Sequence, residues 1–244
     1  MGRYKIIIQY DGSIFNGWQF QKDSKTVQGE IENALKKISG YDSRIPVHGS
    51  GRTDTGVHAK GQVAHFDMNT KLDTDRLRNA INANISNFCR VMKVLKVNND
   101  FHSRFDAKRR FYRYQIYNGE SLLYKNQAWL KKHLDIKKLN LISKIILGKH
   151  NFLSFSKFRS NQLNTECEIY TSEWVSNEKM IVYNIVGNRF LHHMVRYLVG
   201  TIIKVAEGLY DIEQFKDLLS NPRKDVQIYK APANGLILTR VEYK

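Results

Sequence analysis

The chain has 244 residues, a length that suits one large domain or two of ordinary size. Hydrophobic residues make up 42% of it, enough for a core, and no apolar run reaches the roughly 18 residues of a membrane-spanning helix. Lysine and arginine number 39 against 23 acidic residues, a net charge of +16, which favours a polyanionic partner through steering and counterion release.

In chain order, YKIIIQY (4–10) reads as a strand, rich in β-branched and aromatic residues. Its apolar stretch is too short for a secretion signal and Asp11 follows at once, so a cytoplasmic protein is expected. Asp11, Gly12 and Gly17 mark a loop. A helix begins near Thr26, with Val27, Ile31, Leu35 and Ile38 on one stripe. GQVAHFD (61–67) alternates as a strand, and a helix near 74–83 and a strand near 90–97 complete the first half. RRFYRYQIY (109–117) opens the second half as a strand. Asp135 is suited to cap a helix running to Leu147, with Gly148 closing it. Strands are expected near 166–175 and 179–186. A helix is expected from Leu191 to Glu207, ending at Gly208. A shorter helix starts at Asp211 with Gln214 as capping-box partner, and LILTRVEY (236–243) is a last strand. This alternation predicts an α+β protein with antiparallel sheets, in two halves, 1–105 and 106–244. Cys89 and Cys167 lie far apart without CxxC spacing, so reduced thiols are expected rather than a disulfide or a zinc site.

The most unusual segment is HGSGRTDTGVHAKGQVAHF (48–66). Gly49, Gly51, Gly56 and Gly61 crowd it, and glycine lets a backbone take positive φ or approach a neighbour closely. Known phosphate loops do not fit. Val57-His58 stand where a P-loop needs Lys and Ser/Thr, and Asp54 takes the last glycine position of GxGxxG. What remains is a carboxylate and a guanidinium on a tight loop. Asp54 could serve as nucleophile or general base, or only accept backbone N–H bonds within a turn. Arg52 could grip phosphate or stack on a base.

GRTDTGVHAKGQVAHF (51–66) resembles the signature of the TruA family of tRNA pseudouridine synthases. The likeness extends over almost the whole chain, through YDGSIFNGWQFQ (10–21), TVQGEIENAL (26–35), FHSRFDAKRRFYRY (101–114), GNRFLHHMVRYLVGTIIKVAEG (187–208) and APANGLILTRVEY (231–243). The resemblance implies the pseudouridine synthase fold: two RRM-like, ferredoxin-like halves whose sheets join. It implies a homodimer, no cofactor and no metal, and a substrate in the anticodon arm of tRNA at uridines 38, 39 and 40 in tRNA numbering. By position, Asp54 is then the catalytic aspartate and Arg52 enters the space left by a flipped nucleotide. Tyr112 stacks on the target base, and Arg196 is the basic partner of the carboxylate. Several positions depart from the family pattern: Ala233 follows Ala231-Pro232 where a second proline is usual, Asn151 replaces a common Asp, Cys167 a frequent Arg, and INANIS (81–86) lacks a Leu-Pro.

The residues themselves add detail. Tyr112, Tyr114 and Ile116 share one face of their strand, suited to stacking on an unpaired base or to an ordinary core. His192, Arg196 and Gly200 are expected to form one helical stripe. The adjacent His192 and His193 lack a third ligand at metal-site spacing, so no metal is expected. His58, Lys60, Arg104 and Arg110 are expected at the substrate. Lys131, Lys132, Lys157 and Arg159 are further candidates for phosphate contact. A catalytically silent RNA-binding module, or an enzyme acting on other uridines, are the rival readings.

Overall fold

Stretches of period-2 and period-3.6 apolar residues become the strands and helices those periods predict. The computed structural model describes residues 1–157 and 164–243. The chain divides into two units, Met1–Lys108 with Ile237–Lys244, and Arg109–Leu236.

In the first unit β1 (Gly2–Tyr10) lies between β3 (His58–Met68) and β4 (Cys89–Val97), antiparallel to both. The short β2 (His48–Gly49) pairs antiparallel with β3. Along β1 the alternation buries Tyr4, Ile6, Ile8 and Tyr10. Helix α1 (Val27–Ser39) starts where the Thr26 hydroxyl accepts the Gly29 N–H at 3.2 Å, and it ends at Gly40, φ 69°. It buries Val27, Ile31, Ala34 and Leu35. Helix α2 (Thr74–Ala83) is capped by Asp73 and packs on β4.

In the second unit β5 (Arg109–Asn118), β9 (Met180–Gly187), β8 (Glu166–Asn177) and β7 (Gly148–Asn151) form an antiparallel ladder in that order, with β6 (Trp129–Lys131) parallel to β5. On β9 the period of two carries Ile181, Tyr183 and Ile185 into the core. A register shift between Ile169 and Thr171 moves the buried set of β8 from Cys167 and Ile169 to Ser172 and Trp174. Helices α3 (Ile136–Ser143), α4 (Met194–Ala206) and α5 (Ile212–Ser220) complete the unit. The α+β class and the mostly antiparallel pairing follow the expectation from sequence.

Four details differ from it. The closing strand β10 (Leu236–Glu242), read as the end of the second half, pairs parallel with β3 from Ile237 onward. A strand's own pattern marks which face is buried but not which partner it will find. The helix after Asp135 stops at Ser143, and a 3-10 turn (Lys144–Ile146) replaces its last turn. There the Ser143 hydroxyl accepts the Trp174 Nε1–H at 2.7 Å and its carbonyl accepts the Ser172 hydroxyl at 2.8 Å. Residues 191–193 lie outside α4, because His193 takes a left-handed conformation, φ 63°, at the N-cap. His192 is therefore not on the helix, and only Arg196 and Gly200 share the expected stripe. Strands β2, β6 and β7 are too short to show a period and went unread.

Both cysteines are free thiols, buried on β4 and β8. Burial raises the Cys89 pKa and pushes that of Cys167 up to about 12. Among the described residues no helix is long and apolar enough to cross a membrane.

Two consequences are measurable. Gly200 on α4 faces the Tyr229 carbonyl, which occupies the space a Cβ would need. Gly200→Ala should therefore cost about 1–3 kcal/mol, read as a lower urea midpoint at unchanged slope. His65 on β3 is buried, and burial together with His102, His48 and Arg3 lowers its pKa from 6.5 to about 4. The unfolded chain then takes up a proton that the folded one refuses. The stability this neutral ring contributes is full above pH 6.5 and is lost as pH falls toward 4. In His65→Asn, whose amide can still face Ser103, the loss of stability over that pH window should be smaller than in wild type.

Candidate active site

The loop between β2 and β3 is built around Thr53. Thr53 is buried, whereas Arg52 is exposed and Asp54 half-buried on either side of it. Three neighbours fix Thr53. Its hydroxyl pairs with the Tyr10 hydroxyl at 2.8 Å, its carbonyl accepts the Trp18 N–H at 3.1 Å, and that carbonyl lies 2.7 Å from where a Cβ on Gly17 would stand. Gly17 has φ 82°, so both conformation and space demand glycine there. Of the four glycines in 49–61, Gly56 alone takes positive φ, 80°, in the turn closed by the Val57 N–H to the Asp54 carbonyl at 3.1 Å.

Gln62, fully buried on β3, braces the start of the loop. Its Nε2 donates to the Gly51 carbonyl at 2.9 Å and its Oε1 accepts the Ser50 hydroxyl at 2.7 Å. His58 braces the end. It is buried and its Nδ1 accepts the Gly12 N–H at 3.0 Å. Asp11 Oδ1 stands 3.1 Å from the same nitrogen. A nitrogen that accepts from Gly12 has no proton for Asp11, so this approach is not an ion pair. His58, expected at the substrate, has this nitrogen committed to the fold. Lys60 is exposed on β3, and Arg104 is exposed with its guanidinium 5.8 Å from the Phe105 ring centre.

The second unit holds Arg110, Tyr112 and Arg196. Tyr112, Tyr114 and Ile116 do share a face of β5, but it is a packed one. Tyr114 is fully buried and its hydroxyl donates to the Pro232 carbonyl at 2.9 Å. Burial raises its pKa. Tyr112 is 9% exposed and meets the Phe190 ring edge-on at 5.2 Å. An open aromatic face is therefore not what β5 offers. Arg110 donates to the Asn188 carbonyl at 2.6 Å. Arg196, half-buried on α4, donates from Nε to the Ala231 carbonyl at 2.9 Å while the Ala231 N–H donates to the Arg196 carbonyl at 3.0 Å. This reciprocal pair fixes the plane of the guanidinium. Residues 231–232 thus hold both Arg196 and Tyr114 through main-chain carbonyls.

Among the other basic candidates, Lys131 is paired with Glu207 and Lys132 with Glu120 at 2.8 Å. Lys157 is exposed, and Arg159 lies outside the described residues. Sequence reasoning passed over Tyr10, Trp18, Thr53 and Gln62. Only Gln62 carries a signal, as a polar side chain inside an apolar strand.

Comparison with known proteins sets this arrangement in a class of RNA-modifying isomerases. A family model described as tRNA pseudouridine synthase matches residues 6–106 and 142–244. A tRNA pseudouridine synthase A of Ehrlichia ruminantium (strain Gardel) is 41% identical over 250 residues, covering 99% of each chain. Those of Pseudothermotoga lettingae and Borreliella burgdorferi (strain ATCC 35210) are 39% and 37% identical, over 100% and 97% of both chains. The chain belongs to the tRNA pseudouridine synthase family.

The clasp on Thr53 has a measurable worth. Tyr10→Phe leaves the Thr53 hydroxyl without that partner and should lower the unfolding free energy by about 1–3 kcal/mol, read from urea denaturation.

Proposed function

We propose that this chain isomerises uridine to pseudouridine in the anticodon stem-loop of tRNA, at positions 38, 39 and 40, with Asp54 as the catalytic residue. The observation that carries the reading is the position of Asp54: it stands in the GRTDTGVHA block, inside the matched span, on a loop tied at both ends.

The reaction breaks the N1–C1′ glycosidic bond and forms a C5–C1′ bond to the same uracil. The C5 proton is lost and N1 gains one, so atoms balance without a cosubstrate. A base within a paired stem must leave the stack to be reached. Arg52, exposed beside Asp54, is the side chain assigned to fill the gap and offset part of the lost stacking. Asp54 then acts as a carboxylate. Addition to a carbon of the nucleotide and removal of a sugar proton to give a glycal both require its ionised form. Tyr112 is assigned to hold the uracil while it turns, and Arg196 to be the basic partner of the carboxylate. Lys60, Arg104 and Arg110 are assigned to the RNA backbone and His58 to the substrate side of the loop; a net charge of +16 supports attraction of a polyanion. By the same likeness the enzyme works as a homodimer in the cytoplasm.

The catalytic assignment is tested by Asp54→Ala with unmodified tRNA. Pseudouridine formation should fall below detection while tRNA binding persists, and product at the wild-type level would sink it. Mapping the product by position tests the rest. Modification outside the anticodon arm would replace the substrate assignment, and no product from wild type would favour a binding module.

A further inference from the structure

One end of the first unit carries a column of rings that the reaction leaves unused. His48 on β2 lies opposite His65 on β3, and their rings stack at 5.1 Å and 25°. His102 meets His65 edge-on at 4.7 Å and stacks on Phe105 at 4.2 Å and 29°. The column ends in solvent, for Phe105 is 74% exposed. Phe105 is followed at once by Asp106, whose carboxylate accepts the His102 N–H at 2.8 Å. The turn is stiff. The Arg104 and Phe105 N–H groups both donate to His102 Nδ1, at 3.1 and 3.3 Å, and the Ser103 N–H donates to His65 Nδ1 at 3.2 Å.

A phenylalanine this exposed gains little from burial, yet its orientation is fixed by a stacked neighbour and a bonded turn. Two of the imidazoles beneath it, His65 and His102, favour the neutral form: the Nδ1 of each accepts a backbone N–H, and burial lowers the pKa of both. Uncharged rings suit a nucleobase rather than a phosphate. The cation is separate, the Arg104 guanidinium over the Phe105 ring at 5.8 Å from its centre, where an incoming base can displace it toward the adjoining phosphate. A ring platform with a flanking cation, on a chain of net charge +16, has the chemistry of single-stranded nucleic acid recognition.

We propose that Phe105, backed by His102, His65 and His48, is a stacking subsite for an unpaired nucleobase of the RNA substrate other than the reacting uridine, with Arg104 on the adjoining phosphate. The proposal rests on the reading of the substrate as tRNA.

The test measures binding of unmodified tRNA by the full chain across a salt series, alongside pseudouridine formation by wild type. Phe105→Ala should weaken binding by about 5- to 150-fold, with the slope of log affinity against log salt as in wild type. Arg104→Ala should reduce that slope by about one. Phe105→Trp should restore affinity and Phe105→Leu should not, which separates stacking from simple apolar contact. The Trp and Leu variants decide the matter even if the alanine variant folds poorly. Unchanged tRNA affinity in Phe105→Ala, or full rescue by Leu, would overturn the subsite. So would a change in sedimentation with unchanged affinity, which would make Phe105 a contact between copies of the chain. Weakened binding in Phe105→Ala with no product from wild type would uphold the subsite and remove the enzymatic reading instead.

Discussion

An exposed loop can aim a carboxylate only if something inside the fold holds the loop, and here that burden falls on Thr53. Its hydroxyl meets Tyr10, and its carbonyl accepts from Trp18 and packs against the bare Cα of Gly17. A residue flanked by Arg52 and Asp54 and fixed on three sides makes its neighbours point where the backbone dictates. The partners depend in turn on β1. A register shift between Ile8 and Tyr10 sets Tyr10 opposite Ala59 of β3, with its ring buried. Gln62 and His58 then close the two ends of the loop through the Gly51 carbonyl and the Gly12 N–H. Arg52 and Asp54 thus hang from a stretch of backbone held by Tyr10, Trp18, Gln62 and His58.

Much of the fold was legible because it is local. Thr26, Asp73, Asp135 and Asp211 each cap the helix they precede, and the periods of α1, β1 and β9 match their buried faces. What escaped was non-local. The partner of β10 is decided by β3, far away in sequence. The apolar period of α4 continues through Leu191, but His193 breaks the helix with a positive φ that histidine tolerates better than most residues. The role proposed for Asp54 rests on likeness to a family, since a turn Asp accepting backbone bonds has the same local signature. Tyr112 shows the reverse case. Its strand and face were read correctly, but the same alternation describes an open platform and a packed core, and β5 is packed.

The departures from the family pattern have plain accommodations. Asn151 accepts the Leu153 N–H and the Thr165 hydroxyl through Oδ1, a task an aspartate oxygen could equally perform. Cys167 is buried opposite His150, a place for a small side chain rather than a cation reaching solvent. In INANIS, Asn82 pairs with both backbone groups of Val91 at 2.8 Å and ties α2 to β4. Ala231 and Pro232 serve through their carbonyls, so the identity of residue 233 does not enter that clasp.

The two cysteines bring a consequence of another kind. One sits in each unit, buried, with a pKa raised far above neutrality. Thiol reagents attack the thiolate, which the native fold withholds at both positions. Modification must then wait for local opening, of β4 around Cys89 and of β8 around Cys167. The rates at the two sulfurs are separate clocks for the breathing of each unit, built into the natural chain without any added label.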